Sequence, residues 1–229
     1  MFTPPPPNAS SPSKRFSLKR RSNPATPAIP TIDQLTTCAV TGDIPTAQLL
    51  NLDFLDLNSF DKHGHSALYT AASANQLEFV KYLVTMKDVK FKVDVDHPIG
   101  TGSVNGGTDD GNTPLYIAAL NGHVAIVQYL VAEATADVNK TNNDLNMPLF
   151  AASQNGYLAI VVWLMEHGAV VDAATVAGYT ALHAAAHEGH FEVVQQLVGV
   201  GGAAVGKVNV LKKTPIDLAE ENGHKVSAH

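Results

Sequence analysis

Only one cysteine, Cys38, occurs in the 229 residues, so no disulfide framework within the chain can hold a fold together. Long hydrophobic runs are missing too, and none approaches the roughly 20 residues needed to span a bilayer. A secretory signal would need an apolar stretch of about seven residues or more behind its basic ones. Here Phe16, Ser17 and Leu18 lie between charges instead. Acidic residues are absent from residues 1–30, where Lys14, Arg15, Lys19, Arg20 and Arg21 give +5 and leave −11 for the rest of a chain whose net charge is −6. These absences predict a soluble, intracellular protein that inserts in no membrane. Cytoplasmic and nuclear residence both stay open.

The first stretch also holds eight of the 13 prolines, mixed with serine and asparagine. Such a composition cannot bury a core, so residues 1–30 are expected to form a disordered basic tail. Within it, KRFSLKRRS places Ser17 and Ser22 just after basic residues, an arrangement that resembles basophilic kinase sites and short nuclear import signals. Two readings stand side by side, a merely solvating tail and a phosphorylation-tuned docking or targeting element.

The remainder repeats. SALYTAASANQLEFVKYLV begins at Ser66, TPLYIAALNGHVAIVQYLV at Thr113, MPLFAASQNGYLAIVVWLM at Met147, TALHAAAHEGHFEVVQQLV at Thr180 and TPIDLAEENGHKV at Thr214. The second residues, Ala67, Pro114, Pro148, Ala181 and Pro215, are spaced by 47, 34, 33 and 34. A mid-unit breaker, Asn75, Gly122, Gly156, Gly189 and Gly223, keeps the same register, and Gly42 extends it backwards by 33. The chain therefore divides into a degenerate unit over 31–60, units near 61–96, 108–140, 141–173 and 174–206, and a partial unit over 207–229. The last is expected to be a short cap or a truncated repeat.

Each unit reads as helix, turn, helix. In the best copy Thr113 is a good N-cap and Pro114 suits the first helical position, where its missing N–H costs nothing. Leu115, Ala118 and Ala119 share one face, Gly122 can adopt the left-handed backbone that ends a helix, and Val124, Val127 and Val131 are expected to form the apolar stripe of the second helix. Neither helix can bury its apolar face alone, so the units must stack.

The Thr-Pro-Leu-x-x-Ala-Ala-x-x-Gly-His phrase at this period resembles the ankyrin repeat over residues 31–229. The resemblance implies an all-α repeat solenoid, a stack of helix-turn-helix units with β-hairpin fingers, working as a protein-interaction module. It also implies that His123, His190 and His224, each following the mid-unit glycine, are structural. The histidine after Thr-Pro-Leu is kept only at His183 and replaced by Tyr69, Tyr116, Phe150 and Asp217, where the stack is expected to be less regular.

The long step inserts HPIGTGSVNGG, residues 97–107, between Asp96 and Thr108. Val89, Phe91, Val93 and Val95 alternate with polar residues before it, which predicts an extended, half-buried strand. The insertion is either a tolerated loop or a partner-contacting finger. Its glycines do not make a phosphate loop, because Thr108 and Asp109 follow Gly107 where that motif needs a lysine.

Ten histidines invite a metal or catalytic reading. His183 and His187 stand four apart, but Ala184 replaces the glutamate of a zinc-protease phrase and no third ligand is evident. Cys38 has no basic neighbour to activate it. No catalytic, cofactor or metal site is expected, and the chain is not expected to be an enzyme. The partner surface implied by the resemblance maps to the finger tips and first-helix ends: His63, His65, Asp109, Asp110, Asn112, Asn143, Asp144, Asn146, Tyr179, His187 and Glu188. Tyr179, the one large aromatic among them, is the candidate anchor. A stripe this acidic suits a polar or basic segment of another protein rather than nucleic acid. The chain is expected to be a monomer. It would act as adaptor, scaffold or inhibitor, or else as the substrate-recognition subunit of a larger enzyme assembly such as a ubiquitin ligase or signalling complex.

Overall fold

A computed structural model describes residues 30–86, 93–98 and 110–224. The tail with Ser17 and Ser22, most of the insertion, Asp109 and the final five residues lie outside the described residues. Eleven α-helices occur among those described, in pairs: α1 (Ile32–Thr41) with α2 (Ile44–Leu49), α3 (Ala67–Ser73) with α4 (Leu77–Thr85), α5 (Pro114–Leu120) with α6 (Val124–Ala132), α7 (Pro148–Gln154) with α8 (Leu158–Glu166), and α9 (Ala181–Glu188) with α10 (Phe191–Gly199). The remaining helix, α11 (Pro215–Glu221), opens a sixth unit. The first helices α1, α3, α5, α7, α9 and α11 pack side by side in chain order, and α4, α6, α8 and α10 form the second row.

The caps set each start. Thr31, Ser66, Thr113, Thr180 and Thr214 each accept a hydrogen bond from the N–H three residues on. Met147 has no oxygen to offer, yet it holds the same extended backbone and Pro148 begins the helix. Where the third residue is Gln34, His183 or Asp217 its side chain also receives the cap's own N–H, completing a capping box. Tyr69, Tyr116 and Phe150 cannot, but their helices run the same seven residues or so; the expected irregularity is absent because packing, not the box, sustains these short helices.

Alanine pairs on the first helices, Ala71 with Ala72, Ala118 with Ala119 and Ala151 with Ala152, are fully buried and allow close stacking. On the second helices the buried side chains are Phe79, Val80 and Leu83, then Ile126, Val127 and Leu130, then Ile160, Val161 and Leu164. The expected stripe of Val124, Val127 and Val131 does pack on the core, but it is incomplete. Because α6 starts at Val124, Ile126 and Leu130 turn inward with Val127, and Val124 and Val131 flank the core half-buried.

All six mid-unit breakers take positive φ: Gly42, Asn75, Gly122, Gly156, Gly189 and Gly223. Gly42 ends α1 in the left-handed region, so the degenerate first unit has the same helix, turn, helix form as the others.

A ladder of hydrogen bonds ties the loops after the second helices. Asn58 Oδ1 accepts from Asp94 N at 2.7 Å, Asp96 from Asp137 N at 3.0 and 3.1 Å, Asn139 from Val170 N at 2.8 Å, and Asp172 from Ala204 N at 3.0 Å. Asp96 is pinned to the next unit just before the insertion, and Asp110 is pinned to Asn143 just after it. The extra residues are therefore accommodated without breaking the stack. The strand expected to lead into them is not seen in its described part: Val93 and Asp94 are irregular, Val95 and Asp96 form a turn, and both valines pack on the core.

Candidate functional site

Each described finger tip is one tight loop built by the residue five positions before the helix cap. Asp61, Asn142, Thr175 and Asn209 donate their backbone N–H to the carbonyl oxygen four residues on, at 2.8 to 3.0 Å. Their side chains then accept from inside the loop. Asp61 Oδ1 receives the N–H groups of His63 and His65, Asn142 Oδ1 those of Asp144 and Asn146, and Asn209 Oδ1 those of Leu211 and Lys213. The anchor side chain thereby fixes the shape of each loop, and the residues between anchor and cap form its tip. The fingers differ from paired-strand hairpins: among the described residues the only β-bridge joins Ala174 and Thr180.

Neighbouring tips are joined through their backbones. Asn143 N donates to Asp110 O at 2.9 Å, Val176 N to Asp144 O at 2.9 Å, and Val210 N to Ala177 O at 3.1 Å. The tips from Asp110 to Val210 accordingly form one continuous edge.

On the preceding tip His63 is exposed, while His65 is half-buried with its ring stacked on Tyr69 at a 5.0 Å centroid distance. Asp110 is half-buried beside two phenols. Burial and then the Asp110 charge push the Tyr69 hydroxyl up to about 12, and burial raises Tyr116, against which a hydrogen bond with the Asn146 side chain pulls the other way. Asn143 and Asp144 are exposed, and Asn146 is half-buried. Tyr179 is half-buried with its ring 5.8 Å from that of His183, so part of the expected anchor is turned into the fold. At the end of α9, His187 and Glu188 pair with each other at 3.0 Å.

Asn112 is corrected. It is 9% exposed, and its Oδ1 accepts a 2.9 Å hydrogen bond from Asn142 Nδ2 of the next finger. It locks two fingers together rather than facing a partner.

The histidines divide the same way. His183 is fully buried: Thr180 N–H donates to its Nδ1 at 3.2 Å and its Nε2 lies 3.2 Å from Lys213 O. Both nitrogens are used, which removes it from any metal pairing with His187. His123, His190 and His224 set their Nε2 atoms 3.0, 2.9 and 3.0 Å from the carbonyl oxygens of Ser73, Gln154 and His187 in the preceding unit. Gln76 does the same with its Nε2 on Val40 O at 3.0 Å. Among the described residues no group of three or more His, Cys, Asp or Glu side chains is placed to hold a metal ion. Nor is any helix there long and apolar enough to cross a membrane.

Repeating helix pairs, a left-handed breaker in each unit and capped first helices are now matched by comparison. The family described as ankyrin repeats (three copies) matches residues 95–175 and 149–228, more than half of the chain. The chain belongs to the ankyrin repeat family. No curated protein matches it. Ankyrin repeats are generally protein-protein interaction modules and typically not catalytic. The family match begins at residue 95, and the geometry carries the same architecture back through α3 and α4 to α1.

The register missed one group of outward residues on this ankyrin stack. Leu145, Val210 and Leu211 are exposed apolar side chains on the finger tips, alongside Val176. Leu145 and Lys212 have φ of 60° and 61° at the position where other fingers have Gly64, Gly111 and Gly178. That substitution was visible in the aligned units, and it marks the two tips where a side chain is displayed at the cost of strain.

Proposed function

We propose that this chain is an adaptor, scaffold or inhibitor that binds another protein through its finger tips and the neighbouring ends of its first helices. The observation carrying this reading is a division of polar groups. Those between units are consumed by the stack: Asn112, Asn142 and His183 are buried, and His123, His190 and His224 are tied to the preceding unit. By contrast the side chains of His63 and Asp144 are exposed at positions set by the register. A rigid, periodic edge loses little entropy on binding, which suits it to protein recognition.

The charge of −11 outside residues 1–30 favours a polar or basic segment over a nucleic acid, whose phosphates need a basic track. The full chain and an Asp110→Lys, Asp144→Lys variant would be used to capture proteins from a cell lysate. A partner bound by the first and lost by the second supports the acidic edge as the binding face. Equal capture by both would move binding elsewhere.

A further inference from the structure

The finger edge is not uniform. Asp110 and Asp144 lie toward its N-terminal half. Beyond them come Leu145, Val176, Val210 and Leu211, with exposures of 48%, 65%, 63% and 65%, and then the exposed Lys212. The backbone bonds between tips make these residues neighbours along one edge.

Two of these side chains stand where the other fingers have glycine. At Leu145 and Lys212 the backbone is left-handed, a conformation that glycine adopts freely and a branched or long side chain adopts only with strain. A residue held in a strained conformation and turned to solvent points to a role outside folding.

Resting on the proposed finger-tip function, we infer that the edge binds a linear segment of another protein in one direction: a basic residue over Asp110 and Asp144, two apolar residues along Leu145, Val176, Val210 and Leu211, and an acidic residue at Lys212. Charges of opposite sign at the two ends set the orientation, and the aliphatic ridge between them supplies the desolvated contact. A second copy of the chain is a poorer occupant. Four partly exposed aliphatic side chains offer on the order of a few hundred Å², short of the roughly 800 Å² per partner in a standard interface. A segment can add area by continuing onto the first-helix ends.

The full chain would be panned against a displayed library of random short peptides, and enriched sequences synthesised for binding measurements. The expected consensus runs basic, apolar, apolar, acidic. Val176→Ser with Leu211→Ser should weaken such peptides about tenfold or more. Asp110→Asn with Asp144→Asn should abolish the preference for the basic end alone. Lys212→Gly should lose the preference for the acidic end alone, with an unfolding midpoint no lower than that of the native chain.

Enriched peptides without this order, peptides indifferent to Val176→Ser and Leu211→Ser, or no enrichment at all would each overturn the inference. So would a dimer in sedimentation that dissociates on Leu211→Ser, which would assign the ridge to a second copy. Any of these failures leaves the broader finger-tip reading to be judged by the lysate capture.

Discussion

The imidazole Nε2 of His190 lies 2.9 Å from the carbonyl oxygen of Gln154, with the ring seated over Gly156 of the same preceding unit. Gly156 has φ of 74°, and a β-carbon there would come within 2.6 Å of His190 Nδ1. One glycine thus ends α7 and makes room for the bond that joins two units. Gly156→Ala should cost roughly 2 to 3 kcal/mol, combining left-handed strain with loss of the hydrogen bond. Gly168 is the control, since its φ is 88° but nothing lies within 4 Å of its added β-carbon. Gly168→Ala should cost only about 1 kcal/mol. Urea midpoints would compare the two, and equal losses would mean that His190 does not depend on the space over Gly156.

At the last described finger, strain acts in the opposite sense. Lys212→Gly removes an exposed side chain from a left-handed position and should raise stability by up to about 1 kcal/mol. Val210→Gly, two residues away where φ is not positive, should lower it by a similar amount through chain entropy. Thermal unfolding of both variants decides the matter. A lower midpoint for Lys212→Gly would show that its side chain stabilises the finger by more than its backbone costs.

The repeat register was legible because its markers are backbone requirements: a cap oxygen at Thr113, a left-handed turn at Gly122, a small pair at Ala118 and Ala119. These act within one unit, so their spacing carries the signal. Features that depend on the neighbouring unit were less readable. Asn112 falls at a finger position by register, yet it is buried by the amide of Asn142, 30 residues further on. Val124 and Val131 have helical spacing and pack half-buried on the core, but its centre on α6 is Ile126, Val127 and Leu130, fully buried. The alternation before the insertion suggests a strand, and its described end is a turn because Asp94 accepts the N–H of Asp96 on its side chain and that of His97 on its carbonyl.

Buried His183 makes stability depend on pH. Burial, the larger effect, lowers its pKa below 6.5, with the Lys213 carbonyl opposing. Thr180 N–H already points at Nδ1, so a second proton there would face a donor. Above about pH 6.5 the ring is neutral in both folded and unfolded chains and nothing is lost. Below that, the unfolded chain takes up a proton that the folded one refuses, and stability falls until the folded ring is also protonated. Urea midpoints from about pH 7 to about pH 5 should therefore decline more steeply for the native chain than for His183→Gln. Parallel declines would mean that other groups carry the acid sensitivity.

The pair of Asn112 and Asn142 offers a test of how the fingers are held. Asn142 makes three bonds at once: Nδ2 to Asn112 Oδ1, and Oδ1 from the N–H groups of Asp144 and Asn146. Asn142→Ala removes all three and should cost about 2 kcal/mol or more, whereas Asn112→Ala removes one and leaves a buried donor unpaired, costing about 1 to 2 kcal/mol. The two changes should also differ locally. Amide exchange at Asp144 and Asn146 should accelerate in Asn142→Ala and change little in Asn112→Ala, because those bonds end on Asn142 alone. Equal acceleration in both would show that the loop is held from the neighbouring finger, not by its own anchor residue.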